Sequence, residues 1–246
     1  MASEYIQNIN EPVIRISDRQ LMDYMRCANL FYFKYMSKIP EPQDKKMGDL
    51  VKQVINGYYS RLLDHKLPSI DVAKRKWDKL CEENPRTMKN KKILEGFGLI
   101  NLFHKFCYDR KLLIADFNTP YEITIPGNII LTGKIGAIRV VNNSIELFSV
   151  ETSQVVPDIN LLNMSTAYTL QCYAANRIYK SYGLNYMNVL HLKSGQELRT
   201  YRNKTQYDRL EKIIRSVAAA IRNEIFYPRE DYTCSECRYK NYCGYI

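Results

Sequence analysis

Apolar side chains recur at the spacing of a buried helix face through much of the first 115 residues. The first helix is predicted to begin at Ser17 and Asp18, because a serine oxygen caps the N–H groups of a helix start and an acid there suits the helix dipole. Its apolar positions continue from Leu21 to Tyr35. Further helical segments are predicted at about 47–63, within 70–115, at 161–182 and at 206–224. The predicted core positions of the segment 70–115 are Trp77, Leu80, Ile93, Leu94, Phe97, Leu99, Ile100, Leu102, Phe103 and Phe106.

Apolar and polar residues alternate in several segments after residue 120, which is typical of half-buried strands. Strands are predicted at about 121–125, 129–141, 145–152, 187–192 and 197–201. The chain therefore runs through helices, three strands, a helix, two strands and a last helix. This order predicts an α+β or α/β fold with a mixed central sheet.

Four of the seven cysteines stand near the two ends of the chain. Cys27 lies in the first predicted helix, and Cys234, Cys237 and Cys243 form a C-x2-C-x5-C cluster in the tail. Four thiolates are the ligand set of a structural zinc ion or a [4Fe–4S] cluster, and ligand chemistry alone leaves both open. Such a site would join the first helix to the tail and would make the chain a single domain.

A disulfide framework is the alternative for these cysteines. It is disfavoured because the number of cysteines is odd, and because the chain is long enough to bury a core of its own. We expect no signal peptide, and therefore a reducing compartment. Cys81, Cys107 and Cys172 stand singly in apolar surroundings and are expected to be buried thiols.

The composition favours an anionic partner and excludes a membrane-spanning protein. The formal net charge is +10, and no run of roughly eighteen apolar residues occurs. The alternative is that the lysines are solvent-exposed charges on helix surfaces and bind no partner. Twenty tyrosines among many lysines, asparagines and isoleucines indicate an AT-rich coding sequence, as in a phage, a virus or a low-GC bacterium.

These motifs resemble the PD-(D/E)XK nuclease superfamily, and within it the RecB-like branch whose catalytic domain holds a [4Fe–4S] cluster. This branch includes the exonucleases of CRISPR adaptation and the nuclease domains of AddAB-type helicase–nucleases. The resemblance covers nearly the whole chain. It is carried by Cys27 in the third turn of a capped helix, and by Phe226-Tyr227-Pro228 ahead of Cys234, Cys237 and Cys243.

The resemblance implies a restriction-endonuclease-like core, with a mixed central sheet flanked by helices and with the two termini joined by a metal cluster. It implies a single domain over 1–246, with a helical insertion at about 64–118 and a cysteine tail at 228–246. It also favours [4Fe–4S] over structural zinc for the four cysteines.

Active members of this family hold Mg²⁺ or Mn²⁺ with two or more carboxylates and orient the attacking water with a lysine. The resemblance aligns the corresponding positions with residues that lack this chemistry. The histidine after a helical glycine is Lys52, and the aspartate of the second strand is Gly136. The acid and lysine of the third strand are Ser149 and Glu151, and the glutamine of a later helix is Thr169. No catalytic residues are therefore expected.

A different alignment does not restore the metal site. Shifting the third-strand motif by two residues makes Glu151 the acid, but Ser153 then replaces the lysine and Gly136 is still missing. A relocated acid is the remaining route to an active enzyme, with Asp49, Glu122 and Glu146 as the candidates.

The leading interpretation is an inactive nuclease fold that binds nucleic acid, DNA in the first place, or acts as a scaffold subunit in replication, recombination or transcription. We expect it to be phage-encoded and cytoplasmic, in a bacterium or a virus-infected host cell. Two alternatives stay open, namely an active metal-dependent DNA exonuclease with a relocated site and a protein-interaction module without a nucleic-acid role. The candidate nucleic-acid contacts are Arg26, Lys34, Lys45, Lys46, Lys52, Lys134, Arg139 and Tyr173.

Two further basic runs lie within the helical insertion, at Lys74-Arg75-Lys76 and between Arg86 and Lys92. Runs of this kind are usually solvated helix faces or loops. If they contact nucleic acid, they are expected to position it through phosphates and to carry little sequence information.

Overall fold

The computed structural model describes residues 12–40, 45–142 and 144–244. The chain divides into two compact units, and each is built from segments that are separated in the sequence. We call them the terminal unit and the central unit. The terminal unit comprises the described parts of 1–42, 120–134 and 204–246, and the central unit comprises the described parts of 43–119 and 135–203. The expected single domain over 1–246 stays a prediction. Residues 1–11 and the last two residues of the tail lie outside the described residues.

Six strands form one mixed sheet with the order β1–β3–β4–β5–β6, and β2 also pairs with β3. The strands are β1 (Ile14–Ser17), β2 (Leu113–Ile125), β3 (Ile129–Val141), β4 (Ser144–Glu151), β5 (Tyr186–His191) and β6 (Gln196–Tyr201). β1 runs parallel to β3 and β4 parallel to β5, whereas β3 with β4 and β5 with β6 are antiparallel. The predicted mixed α/β fold with helices flanking the sheet is confirmed, and it is consistent with a restriction-endonuclease-like core.

Most helices follow the predicted segments. The continuous helix predicted at about 161–182 was wrong, because the extended backbone of Ser165 divides this segment into two helices. The helices are α1 (Asp18–Arg26), α2 (Ala28–Phe31), α3 (Met47–Leu62), α4 (Ile70–Glu82), α5 (Asn90–Asp109), α6 (Ile159–Met164), α7 (Thr166–Ile178), α8 (Lys204–Arg222) and α9 (Lys240–Cys243). Short helical turns occupy 32–36, 180–182 and 232–236. Among the helices that the structure describes, none combines the length and the apolar character that a bilayer crossing requires.

The first helix begins where the sequence predicts it but does not run through to Tyr35. The Ser17 hydroxyl accepts the N–H of Gln20 at 3.1 Å, and the Gln20 side chain accepts the N–H of Ser17 at 2.8 Å, which completes a capping box. The helix then breaks at Cys27, whose backbone is extended with φ −165° and ψ 122°. The continuous helix was wrong, because apolar spacing on both sides of one extended residue still matches a single helix face.

The core of the central unit forms where α3, α4 and α5 pack together. Trp77 is fully buried, and its ring N–H donates to the carbonyl of Ile93 at 3.1 Å. Tyr58 packs edge-on against Phe103, with their ring centroids 5.5 Å apart. Most predicted core positions of this segment are buried or half-buried, but Leu94 and Leu102 are 75% and 43% exposed. Those two core assignments were wrong.

Two glycines in α5 provide a matched test of this packing. A Cβ at Gly96 would overlap two ring carbons of Trp77 and would lie 3.3 Å from Cγ of Met47, whereas a Cβ at Gly98 meets nothing within 4 Å. Gly96→Ala should therefore lower the free energy of unfolding by about 1–3 kcal/mol. Gly98→Ala should raise it by about 0.5–1 kcal/mol, since alanine is the better helix former.

Urea unfolding of the two variants measures both changes. Equal effects of Gly96→Ala and Gly98→Ala would contradict the close approach of Trp77 to α5.

Candidate functional site

Four cysteines from both ends of the chain line one cavity in the terminal unit. Cys27 lies at the extended break after α1, and Cys243 is the last residue of α9. Cys234 lies in the helical turn 232–236, and Cys237 follows that turn directly. All four side chains are half-buried. The structure thus brings together the four residues that the sequence predicts as metal ligands.

The backbone of Arg229 connects the first of these cysteines to the second. Its N–H donates to Sγ of Cys27 at 3.4 Å, and its carbonyl accepts from Sγ of Cys234 at 3.5 Å. The Arg229 guanidinium donates to the carbonyl of Met25 at 3.4 Å and lies 3.6 Å from the carboxylate of Asp231. An N–H group aimed at sulfur stabilises a thiolate, and such hydrogen bonds are typical of metal-bound cysteines.

The donor set of this cavity fits a thiolate-bound metal. Its lining includes the four thiols and Glu230, together with apolar residues such as Phe33 and Pro228. All seven cysteines are free. Across the described ranges, no three cysteine, histidine or acidic side chains are near enough to share one ion as they stand.

The first helices and the tail are also joined by contacts that need no metal. The hydroxyl of Tyr24 donates to the carbonyl of Ile225 at 2.6 Å, and the N–H of Asn29 donates to the carbonyl of Tyr227 at 3.2 Å. The ring of Phe31 stacks on Phe226 with centroids 5.9 Å apart. These contacts join the cysteine-bearing segments through protein groups alone.

The other three cysteines are buried, as the sequence predicts. Burial raises the pKa of Cys81 to about 11 and the pKa values of Cys107 and Cys172 to about 12. At pH 8 only about one molecule in ten thousand then carries a Cys107 thiolate, the form that reacts with alkylating agents.

We expect iodoacetamide at pH 8 to modify four cysteines of the folded, chelator-treated protein and to spare these three. Intact-mass spectrometry counts the modified thiols, and the urea-unfolded protein with seven reactive thiols is the control. Alkylation of Cys107 or Cys172 as fast as that of Cys234 would contradict the assigned burial.

A second cluster of predicted residues lies in the central unit, where the first turns of α3 meet the end of β4. The ammonium of Lys52 lies 3.8 Å from a carboxylate oxygen of Glu151. The other oxygen of Glu151 accepts the N–H of Thr152 at 3.0 Å. A Cβ at Gly48 would lie 2.7 Å from Oγ1 of Thr152, so only glycine allows α3 to approach the strand this closely.

The strand positions beside this ion pair carry no second acid. Gly136 directly precedes Ala137, which pairs with Phe148 in β4, and this register brings Gly136 close to Ser149. Ser149 is hydrogen-bonded to the side chain of Tyr168. Burial raises the pKa of Tyr168, and the Glu151 charge adds to this rise. Tyr168 therefore stays a neutral phenol at physiological pH.

Helix α7 supplies Gln171 to this cluster, and the predicted Thr169 does not reach it. The N–H of Gly136 donates to Oε1 of Gln171 at 2.8 Å. Thr169 is buried elsewhere, where its hydroxyl accepts from Nε of Arg202 at 2.7 Å. The alignment of the family glutamine with Thr169 is therefore not supported by the geometry. Tyr168 and Gln171 stand three residues apart on one helix face, a spacing visible in the sequence that could have indicated both.

Comparison with known proteins decides the family. A profile of the PD-(D/E)XK nuclease superfamily matches residues 15–244, from β1 to the end of α9. The chain belongs to the PD-(D/E)XK nuclease superfamily.

One solved structure, the crystal structure of SSO0001, is similar to the chain with 14% sequence identity, a TM-score of 0.39 and 92% of each chain covered. A likeness this weak supports no argument about fold or function. A comparison with curated protein sequences gives no match.

Two of the acids considered as relocated ligands of a PD-(D/E)XK centre are engaged in ion pairs. Glu146 is 5% exposed and binds Arg139 at 3.1 Å and Arg199 at 2.8 Å. Glu122 lies in the terminal unit and binds Arg15 at 2.8 Å. Asp49 is exposed in the first turn of α3.

Two of the predicted nucleic-acid contacts of this superfamily member are buried. Arg139 is 7% exposed and is bound to Glu146 and Glu197, the latter at 2.6 Å. Tyr173 is 3% exposed, and its hydroxyl accepts from Arg177 at 3.0 Å. Neither side chain is placed to touch a bound strand, and both are removed from the candidate set.

The other candidates lie at the surface or close to it. Lys34 is half-buried, and its ammonium lies 3.0 Å from the carboxylate of Asp23. It is a weaker candidate for a phosphate contact, because it would first have to leave this ion pair. The exposed candidates are Arg26, Lys45, Lys46, Lys52 and Lys134. Three of these five lie just before α3 or in its first two turns, and one of them, Lys52, lies 3.8 Å from Glu151.

Proposed function

We propose that the chain is a catalytically inactive PD-(D/E)XK protein of the RecB-like iron–sulfur branch that binds nucleic acid. We further propose that it acts as a subunit of a replication, recombination or transcription assembly and that it is phage-encoded. The observation that supports inactivity is the Lys52–Glu151 ion pair, with Gly136 and Ser149 beside it.

Hydrolysis in this superfamily depends on a metal that two acids hold, and the altered site supplies one. A single carboxylate binds Mg²⁺ weakly, because the ion dehydrates reluctantly and needs several hard oxygen ligands. Lys52 further offsets the Glu151 charge from 3.8 Å. Gly136 has no side chain to bind the ion, and its backbone N–H is already donated to Gln171. Gly136 and Ser149 therefore provide no second carboxylate for the metal beside Glu151.

For the cysteine cavity we propose a [4Fe–4S] cluster, with structural zinc as the alternative. Cys27, Cys234, Cys237 and Cys243 would hold it as thiolates. The bound group would supply a crosslink between the first helix and the tail, and its redox chemistry is not needed for that role. The Arg229 N–H would stabilise the Cys27 thiolate in either case.

The proposed binding of nucleic acid is supported by the net positive charge of the chain and by a group of exposed lysines. The chain carries a formal net charge of +10, and Lys45, Lys46 and Lys52 are exposed at the start of α3. Cations that neutralise phosphates release the counterions of the nucleic acid, so such binding weakens steeply with salt.

Fluorescence anisotropy with labelled single- and double-stranded DNA between 50 and 200 mM salt tests this role. We expect about a tenfold or larger loss of affinity over that range. Binding that is absent, or that does not respond to salt, would contradict the proposed function and favour a protein-interaction module.

A further inference from the structure

We propose that Lys45, Lys46, Arg86 and Lys89 form one continuous binding track for the phosphate backbone of nucleic acid. We call these four residues the basic track. They belong to two separate basic runs of the sequence and all lie in the central unit. The inference rests on the proposed nucleic-acid role and names the surface that performs it.

The buried side chain of Asn84 joins the two runs. Asn84 is 7% exposed, and its Oδ1 accepts the N–H of Lys45 at 3.2 Å. Its Nδ2 donates to the carbonyl of Leu80 at 2.9 Å, which anchors it to the last turn of α4. The hydroxyl of Thr87 donates to the carbonyl of Lys45 at 2.9 Å. The segment that contains Arg86 is thus fixed against the start of α3 at two points.

Two helices begin within the track, and both present uncapped starts. Lys46 precedes α3 and Lys89 precedes α5, and neither helix start has a side-chain cap. The first N–H groups of each helix carry a partial positive charge, which adds to the lysine and arginine charges. A row of negatively charged groups, such as the phosphates of a nucleic-acid backbone, would complement the charge of this surface.

Three cations of the track, Lys45, Arg86 and Lys89, differ from paired lysines elsewhere on the surface. Within the part of the chain that the structure describes, Lys45, Arg86 and Lys89 form no ion pair. By contrast, Lys74 binds Asp78 at 2.6 Å and Lys204 binds Asp208 at 2.8 Å. Within those described ranges, the exposed side chains of Lys45, Arg86 and Lys89 can therefore meet phosphates without first breaking an ion pair.

The track leads to the altered catalytic site. Lys52 follows Lys46 by less than two turns of α3 and lies beside Glu151. Gly48, between them, approaches Thr152 at the end of β4. A strand whose phosphates follow the track would bring its sugar–phosphate chain to the Lys52–Glu151 pair, where the altered site would hold it without cleavage.

A pair of substitutions that removes two positive charges tests the track. Arg86→Gln with Lys89→Gln removes two exposed cations, and Lys74→Gln with Lys204→Gln removes two paired ones as the charge-matched control. Anisotropy with a labelled single-stranded DNA, and with an RNA of the same sequence, measures the affinity against salt. We expect the first variant to bind about tenfold or more weakly at 50 mM salt and its log–log salt slope to fall by about 2, because each lost phosphate contact lowers the slope by about 1.

The control variant should bind like the wild-type protein. Equal weakening of both variants would overturn the track, because it would show a dependence on net charge alone. Unchanged binding of Arg86→Gln with Lys89→Gln would also overturn it, while leaving the proposed nucleic-acid role intact. Failure of the wild-type protein to bind any strand would refute the proposed function itself and the track with it.

A third variant probes the geometry and leaves the charge unchanged. Asn84→Ala removes the clamp between Lys45 and the Arg86 segment. We expect its affinity to fall while the protein stays folded by circular dichroism. Wild-type affinity in a folded Asn84→Ala protein would show that the two runs act independently, against a continuous track.

Discussion

The Cys237→Ala protein is expected to lose its bound metal and to unfold at markedly lower denaturant concentration than the wild type. Cys237 follows the helical turn that carries Cys234 and lines the same cavity as Cys27 and Cys243. In the proposed centre, loss of one thiolate ligand frees the tail from the first helix. The destabilisation should exceed about 4 kcal/mol, the range in which loss of a metal or of a buried network is found.

The matched control is Cys81→Ala, which removes a buried thiol from the central unit. It should cost about 1 kcal/mol and leave the metal content unchanged. Iron, sulfide and zinc analysis of anaerobically purified protein, together with urea unfolding, measures both variants. A Cys237→Ala protein with wild-type stability and metal content would contradict the proposed centre, and zinc in place of iron would select the alternative metal.

Glu146→Gln should also destabilise the protein strongly, by about 3 kcal/mol, because it weakens the pairing of the buried Arg139 guanidinium and removes the carboxylate that also binds the exposed Arg199. The Glu146 side chain is 6% exposed and binds both Arg139 and Arg199, and the amide of Asn188 donates to it at 2.8 Å. The figure is at the lower end of the usual range because Glu197 still binds Arg139 at 2.6 Å.

An exposed ion pair of similar geometry provides the control. Arg15 and Glu122 lie 2.8 Å apart, with side chains that are 57% and 56% exposed. Glu122→Gln should change the free energy of unfolding by no more than about 1 kcal/mol. Urea unfolding compares the two isosteric substitutions. If Glu146→Gln were as mild as Glu122→Gln, the assigned burial of the network would be wrong.

Helices and strands with an unbroken apolar periodicity could be predicted from the sequence. Elements that form only by pairing with residues far away in the sequence could not. The predicted helix at about 47–63 and strand at 129–141 agree with α3 and β3, because their apolar periods are unbroken. The four residues of β1 were missed, since their strand form depends on parallel pairing with β3. Leu94 and Leu102 were misjudged because apolar residues also occur at surfaces, where only the packed neighbours reveal the exposure.

The residues of the candidate sites that belong to sequence motifs could be predicted, whereas those that depend on contacts between distant residues could not. The spacing and context of the cysteines indicated a shared site, and the structure places all four around one cavity. The motifs also singled out Lys52 and Glu151, which lie 3.8 Å apart in the structure, and their assignment to altered catalytic positions stays a prediction. Gln171 was missed because its contact with the Gly136 backbone depends on how α7 packs against the sheet. The burial of Arg139 and Tyr173 likewise follows from partners that are distant in the sequence.

Cleavage of labelled single- and double-stranded DNA by anaerobically purified protein, with Mg²⁺ or Mn²⁺, tests the central claim most directly. The Lys52–Glu151 pair beside Gly136 and Ser149 predicts no cleavage of either substrate, alongside binding that weakens with salt. Metal-dependent cleavage that disappears in Glu151→Ala would contradict this account and would establish an active nuclease with a relocated site.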